Sequence, residues 1–442
     1  MRHVIVGGDA AGMTAASRIR GAAPDDEIVV FEAGRFTSYS ACGIPFVVGG
    51  IVSGGVEALV ARSPEEHRRR GIDVRTNHEV TEIDVARGEV EILDRHGGGS
   101  SRVGYDRLLI ATGGEPIRPD LPGIGLPMVH GVQTLEDADR LFRLAEEACR
   151  RVVVVGGGYI GLEMAEAYVH RGCTATVVER ADQPLGLFDA DLGQRAADAM
   201  TAHGVEFRGG VTVEGFEPGK VLTSDGELEA DLVVLGIGTR PRSGLAAAAG
   251  IQLGANDAVH VDDHQATTTD GVWSAGDCAE SRHLVTGQPV HIPLGTYANR
   301  HGRVAGLNMA GGDAVSPAVL GTAITKLCEL ELALTGLTEH RAREAGFDAV
   351  AVTIDTTTRA GYLPDAGKMI VRLTVERGSG RLLGAQIVGG PGAAKRIDTL
   401  ATAITAGMTV AEVADLDLAY APPFSSVWDP VAVAAREAIK AI

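Results

Sequence analysis

The chain has 442 residues, room for roughly three domains of ordinary size, and its 59 glycines are nearly twice the usual share of about 7%. A formal net charge of −18 argues against nucleic acid or an anionic membrane surface as a partner, and no apolar run approaches the ~20 residues of a membrane span. Cys42, Cys149, Cys173, Cys278 and Cys328 have neither paired nor metal-ligand spacing, which predicts reduced thiols in the cytoplasm, with no disulfide framework and no metal centre.

The chain runs straight into His3-Val4-Ile5-Val6, which reads as a buried strand, and no signal peptide is expected. Gly7-Gly8-Asp9-Ala10-Ala11-Gly12 follows, then a small-residue helix from Met13 to Ile19 and a strand closed by Glu32, about 25 residues after Gly7. This spacing is that of a dinucleotide fingerprint. Gly7 allows the tight turn, Gly12 allows close helix–strand packing, the helix N-terminus faces pyrophosphate, and Glu32 accepts from a ribose hydroxyl. Asp9 stands where the second glycine belongs, so an ordinary strand–turn–helix unit is the alternative.

Ten residues after Glu32, Cys42-Gly43-Ile44-Pro45 suits the first turn of a helix, because Pro fixes φ and lacks the N–H that would be orphaned there. A thiol at that place faces unpaired N–H groups, which favour the thiolate; a buried structural cysteine is the alternative. Residues 57–70 look helical, and Glu65-Glu66-His67-Arg68-Arg69-Arg70 reads as a solvated face. Strands are expected over 74–91. Asp106 to Gly114 is a strand entering the turn Ala111-Thr112-Gly113, and 115–123 has linker composition.

A second fingerprint follows. Arg151–Val155 reads as a strand, Gly156-Gly157-Gly158-Tyr159-Ile160-Gly161 matches G-x-G-x-x-G, and Glu179 closes the next strand. The acid favours NADH by repelling a 2′-phosphate, whereas Arg180 beside it offers NADPH a hold. Two such sites suggest FAD plus a nicotinamide. Gly276-Asp277 ends a further strand, where an acid can bond the ribityl chain of a flavin. From about Pro317 the pattern turns α+β, with strands near 322–334, 349–357, 368–376 and 381–389 and helices over 391–406 and 410–415. The fold class is therefore α/β: two Rossmann-like dinucleotide-binding domains, for FAD (1–113 and 239–316) and NAD(P)H (114–238), with a C-terminal α+β dimerisation domain (317–442).

Ser38-x-x-x-Cys42-Gly43, Ala111-Thr112-Gly113, Tyr159 in the second fingerprint, Gly276-Asp277 and Tyr420-Ala421-Pro422-Pro423-Phe424 run through the whole chain. On these motifs it resembles the single-cysteine branch of the FAD-dependent pyridine nucleotide–disulfide oxidoreductases, a group with coenzyme A-disulfide reductases, persulfide reductases, NADH oxidases and NADH peroxidases. The resemblance implies reduction of a small disulfide or persulfide by NAD(P)H through Cys42. Val80, Thr112 and Gly113 would join Gly7, Gly12, Glu32, Gly276 and Asp277 around FAD. Gly156, Gly158, Gly161 and Glu179 would hold the nicotinamide nucleotide, with Tyr159 covering the flavin until the nicotinamide displaces it. Tyr420 and Tyr362 would serve as acids, Tyr420 reaching the flavin site of the partner subunit in a homodimer. Thr14, Ser38, Arg70 and Asn299 fit the family's substrate contacts, while Arg18 and Trp428 replace a glutamine and a lysine. The branch's oxidases and peroxidases carry a histidine where this chain has Ala10. An oxidase or peroxidase cycling Cys42 through sulfenic acid, and a nucleotide-dependent redox sensor, remain the alternatives.

Overall fold

The computed structural model describes residues 1–147 and 150–442. Cys149, expected to be a reduced thiol, lies outside them. The first sheet is parallel, in the order Val272–Ser274, Arg107–Ile110, Arg2–Val6, Glu27–Glu32, Asp73–Thr76. Val4 pairs with Val29 on one side and Leu108 on the other, so each central strand is buried on both faces, as its continuous apolar sequence requires. The second sheet, also parallel, runs Val205–Arg208, Thr174–Val178, Arg151–Val155, Leu232–Leu235, Val129–Gly131. The chain thus leaves the first sheet after Ile110, builds the second, and rejoins the first at Val272.

The third large sheet is antiparallel, in the order Ala323–Leu327, Leu330–Gly336, Leu382–Gly389, Lys368–Glu376, Ala349–Thr357. The strand expected over 322–334 is a hairpin turning at Cys328, whose φ of +56° is the left-handed conformation the turn needs. The helix expected over 391–406 is a short 3₁₀ turn, Ala394–Arg396, followed by Ile397–Thr405. A helix not anticipated in the sequence, Pro430–Ile439, starts where Asp429 Oδ1 accepts from Val431 N at 2.8 Å. Among the described residues no helix is long and apolar enough to cross a membrane.

Residues 57–70 do not form one helix. A 3₁₀ turn, Gly55–Leu59, gives way to an extended stretch in which Val60 bridges Tyr39; a new helix, Pro64–Arg69, then begins at a Ser63/Glu66 capping box. Pro64 accounts for the break, since it disfavours helical backbone in the residue before it.

Two contacts position the site. The helix Ala10–Ala22 packs against Gly295–Met309 with backbones nearly touching: a Cβ on Gly302 would stand 2.2 Å from the Ala11 carbonyl oxygen, and one on Gly306 2.5 Å from that of Ala15. The short helix Ile44–Val48 buries Ile44, Val47 and Val48 in a core shared with Leu135, Leu141, Leu162 and Tyr168 of the second nucleotide unit. His170 Nδ1, at the end of the helix Tyr159–His170, meets the Gly49 carbonyl at 2.9 Å, and Arg171 Nε donates to that of Val48.

Gly302→Ala should destabilise the protein by about 1–3 kcal/mol, because the clash is with backbone that cannot rotate away. Gly21→Ala, in the last turn of Ala10–Ala22 with nothing within 4 Å of the new Cβ, should stabilise it by about 0.5–1 kcal/mol. Chemical denaturation of the two variants checks both signs.

Candidate active site

The two fingerprints fold to one design. Gly7 and Gly156 turn with φ of +108° and +105°. A Cβ on Gly12 would lie 1.9 Å from the Gly7 carbonyl oxygen, and one on Gly161 2.1 Å from that of Gly156, so both positions admit only glycine. Each acid clasps its own loop. Glu32 accepts from Gly8 N and Gly34 N, both at 2.7 Å; Glu179 accepts from Gly157 N at 2.7 Å and Ala181 N at 2.9 Å. A bidentate carboxylate has about four lone-pair sites, so each retains acceptors for a ribose diol. Burial holds the Glu32 carboxyl above the ordinary carboxylate range despite its two N–H bonds. Gly158 is the N-cap of Tyr159–His170 and provides no side chain to block the helix N-terminus.

Around the first loop, Thr112 Oγ1 donates to the Arg242 carbonyl at 2.6 Å and Arg242 N to that of Gly113 at 2.9 Å. Val80, in the strand His78–Asp84, packs in one cluster with Val6 and Phe31. Gly276 turns with φ of +85° where a Cβ would stand 2.9 Å from Ala11 Cβ, bringing Asp277 to the start of Ala10–Ala22. The Asp277 carboxyl is half-buried, is pushed up by that burial, and has no hydrogen-bond donor among the described residues. It is thus ready to accept from a polyol. With the glycine cradle, the clasped acid and this spare acceptor, the first site fits an FAD. Asp9, at the N-cap, makes no side-chain capping bond and accepts from Tyr39 N at 3.1 Å. Burial, with Glu32 and Asp277 adding, pushes its carboxyl up to about 7.

Cys42 lies in a 3₁₀ turn, Ala41–Gly43, just ahead of Ile44–Val48, with Pro45 in the first turn of that helix as expected. Its side chain is exposed. The expectation of a stabilised thiolate is not met. The protein packed around the sulfur, followed by the charges of Glu163, Asp277 and Asp9, pushes the thiol up. A five-residue helix supplies little dipole, and three carboxylates outweigh it. Cys173, Cys278 and Cys328 are buried away from this turn, as packing residues.

Glu163 is a functional candidate that sequence reasoning missed. It accepts from Thr325 Oγ1 at 2.8 Å, and burial raises its carboxyl. It also bears on Tyr159, whose hydroxyl is buried without a partner and whose ionisation is suppressed, first by burial and then by Glu163. The available signal was an acid four residues after Tyr159, on the same face of an otherwise apolar helix.

The expected substrate residues fall into three places. Thr14 Oγ1 donates to Asn299 Oδ1 at 2.9 Å across the two tight helices. Ser38 Oγ meets His67 Nε2 at 2.9 Å, so His67 is a buried residue inside the run read as a solvated face. Arg18 and Arg70 are exposed. Tyr362, Tyr420 and Trp428 form a separate exposed group: Ala360 N donates to the Pro422 carbonyl at 3.1 Å, and the Arg436 guanidinium stacks 3.6 Å over the Trp428 ring. Among the described residues, no hydrogen bond joins that group to the Cys42 turn.

Residues 1–302 match the pyridine nucleotide-disulphide oxidoreductase family, and residues 322–432 match its dimerisation domain. The chain is 39% identical over 440 residues to the NAD(P)H coenzyme A polysulfide/persulfide reductase of Pyrococcus horikoshii, covering 98% of this chain and 97% of that one. It is 36% identical over 447 residues to an NADH oxidase of Methanocaldococcus jannaschii, covering 100% and 99%. A solved NAD-dependent persulfide reductase from A. fulgidus superposes with a TM-score of 0.96 at 39% identity, over 100% of this chain and 83% of that one. Paired fingerprints, the turn carrying Cys42 and the matches along the whole chain agree: the chain belongs to the pyridine nucleotide-disulphide oxidoreductase family, whose members work with FAD and NAD(P)H.

Proposed function

We propose that the chain reduces a small disulfide or persulfide with electrons from NAD(P)H, NADH being preferred through Glu179, and that Cys42 is where the electrons leave. The FAD-binding domain is 1–113 with 239–316, the nicotinamide domain 114–238, and the dimerisation domain 317–442. The observation that carries the reading is an exposed Cys42 at the junction of two nucleotide units, with the other described cysteines buried elsewhere. A lone thiol of this kind exchanges with an external sulfur rather than with a neighbour.

When bound, FAD accepts hydride from the nicotinamide and passes two electrons to sulfur. The chain's own part begins with Cys42 Sγ, which attacks the substrate S–S bond as thiolate. One half of the substrate becomes bound as a mixed disulfide, and the other half leaves as a thiolate. A phenol hydrogen bond or proton from Tyr420 speeds that departure. Two electrons then restore the Cys42 thiolate and free the second half. Because burial and the three carboxylates raise the thiol, Cys42 rests protonated near neutral pH and gives up that proton on attack. Tyr420, Tyr362, Phe424, Val427 and Trp428 are 48–75% exposed in one subunit. A two-fold dimer that covers this apolar group and brings Tyr420 to the partner's Cys42 accounts for both the exposure and the distance in sequence. Thr14, Arg18, Ser38, Arg70, Asn299 and Trp428 form the substrate face. An oxidase reading would instead need oxygen at Cys42, and steady-state oxygen uptake with NADH separates the two.

Cys42→Ser should retain yellow FAD and its bleaching by NADH but lose disulfide or persulfide reduction; undiminished turnover would return Cys42 to a packing role. Tyr420→Phe should slow turnover on the order of 10²-fold. Mixing Cys42→Ser with Tyr420→Phe subunits should recover about a quarter of wild-type activity, since half the dimers then hold one intact site of two.

Glu163→Gln removes a negative charge near the sulfur, so the pH profile of Cys42 alkylation by iodoacetamide should move to lower pH. Asp9 ionises near pH 7 at the loop that faces the pyrophosphate. FAD should therefore bind more tightly at pH 6 than at pH 8, and Asp9→Asn should flatten that dependence in a fluorescence titration.

A further inference from the structure

We propose that His67 is a positioning residue for this reduction: its ring donates from Nε2 to Ser38 Oγ and so directs the Ser38 hydroxyl proton toward an acceptor on the bound sulfur substrate. The proposal rests on the reading of Ser38 as a substrate contact.

His67 sits in a run of charges, yet it is 1% exposed. The capping box at Ser63 and Glu66 sets the phase of the helix Pro64–Arg69, which turns residue 67 inward while Glu65, Arg68 and Arg69 face water. The backbone around it is closed, with Arg70 N and Ile72 N both donating to the His67 carbonyl.

The ring has one partner. Nε2 lies 2.9 Å from Ser38 Oγ, and Nδ1 is buried with none. Burial, then Arg62 and Arg70, hold the imidazole below its usual range, with Glu66 alone opposing, so the ring is neutral and carries a single proton. On Nδ1 that proton would be a buried donor without an acceptor. On Nε2 it is satisfied, and the bare Nδ1 leaves only an acceptor unpaired, the better tolerated of the two defects. Nε2–H therefore donates and Ser38 Oγ accepts.

Ser38 is committed on its other sides. It holds φ at +51°, unusual for a residue other than glycine. Its N–H donates to the Gly8 carbonyl at 3.1 Å, and its own carbonyl accepts from Ala61 N at 2.8 Å. Gly8 also donates to Glu32, so the same loop that faces the nucleotide fixes the serine. With backbone donor and acceptor used and one Oγ lone pair taken by His67, the hydroxyl proton is the donor left over, four residues ahead of Cys42. Strained backbone held by a dedicated partner is what a fixed donor requires.

The test uses FAD-loaded enzyme with NADH and coenzyme A disulfide, or coenzyme A persulfide where the wild type turns that over faster. His67→Phe should raise KM for the sulfur substrate about tenfold, the loss of one hydrogen bond to a polar or charged acceptor. Its kcat and its rate of flavin bleaching by NADH should stay within about twofold. His67→Gln, whose amide nitrogen reaches the place of Nε2, should restore the wild-type KM; His67→Asn, which reaches that of Nδ1, should not, and serves as the loss variant if the Phe protein does not fold. Ser38→Ala should match His67→Phe, and the double variant should be no worse than either alone. Gln failing like Phe, additive losses in the double variant, or an unchanged KM in both Phe and Asn would overturn the role of His67 while leaving that of Ser38. A Ser38→Ala enzyme with wild-type KM, or a wild type silent on both acceptors, would instead remove the reading beneath it and the proposal with it.

Discussion

The site depends on one short wedge, the helix Ile44–Val48. Three of its five residues must leave water to complete a core built mainly by the second nucleotide unit. Burying each such side chain is worth about 1.5–3 kcal/mol, enough to hold a five-residue helix that would not form alone. Cys42 stands two residues before this wedge, so the burial that docks the helix also determines where the thiol emerges. His170 and Arg171 close the far end on the Gly49 and Val48 carbonyls, tying the helix to the second nucleotide unit.

Each unit has solved the same local problem in the same way. A strand must turn sharply into a helix whose first N–H groups stay open for phosphates, and the acid at the end of the next strand grips the loop. Even the secondary ties repeat: Gly8 O accepts from Ser38 N, and Gly157 O accepts from Leu185 N. The units differ in what is attached to that tie. In the second it leads to Leu185 in the core, whereas in the first it leads to Ser38 and on to Cys42. In the first unit the nucleotide loop thereby also anchors the segment that carries Cys42.

Electrostatics around that sulfur oppose what the helix alone would do. A short helix end contributes at most about 0.3–1 kcal/mol toward a thiolate. Burial and the Glu163, Asp277 and Asp9 carboxylates act the other way, and burial keeps these same acids from ionising freely. A thiolate on Cys42 is therefore disfavoured by its surroundings.

Much of this was legible in the residues. The positive-φ glycines, the acids 25 and 23 residues after them, the continuous apolar strands and the Cys42–Pro45 turn follow from chain geometry that operates over a few residues. The helix Pro430–Ile439 was legible too, from Asp429 at the cap and Pro430 behind it, and was passed over. Other features have no local signature. A run as charged as Glu65–Arg70 does not reveal that His67 faces inward, because six residues are too few for a periodic pattern to show its phase. That Glu163 and Asp9 press on a thiol more than a hundred and about thirty residues away in sequence, and that Ser38 is met by His67, depends on how the sheets and helices stack. Local propensity and spacing determined the elements, the nucleotide loops and the turn that carries Cys42. The proton affinity of Cys42 and the pairing of Ser38 with His67 were decided by tertiary packing, since desolvation and Coulomb forces depend on distance in space rather than along the chain.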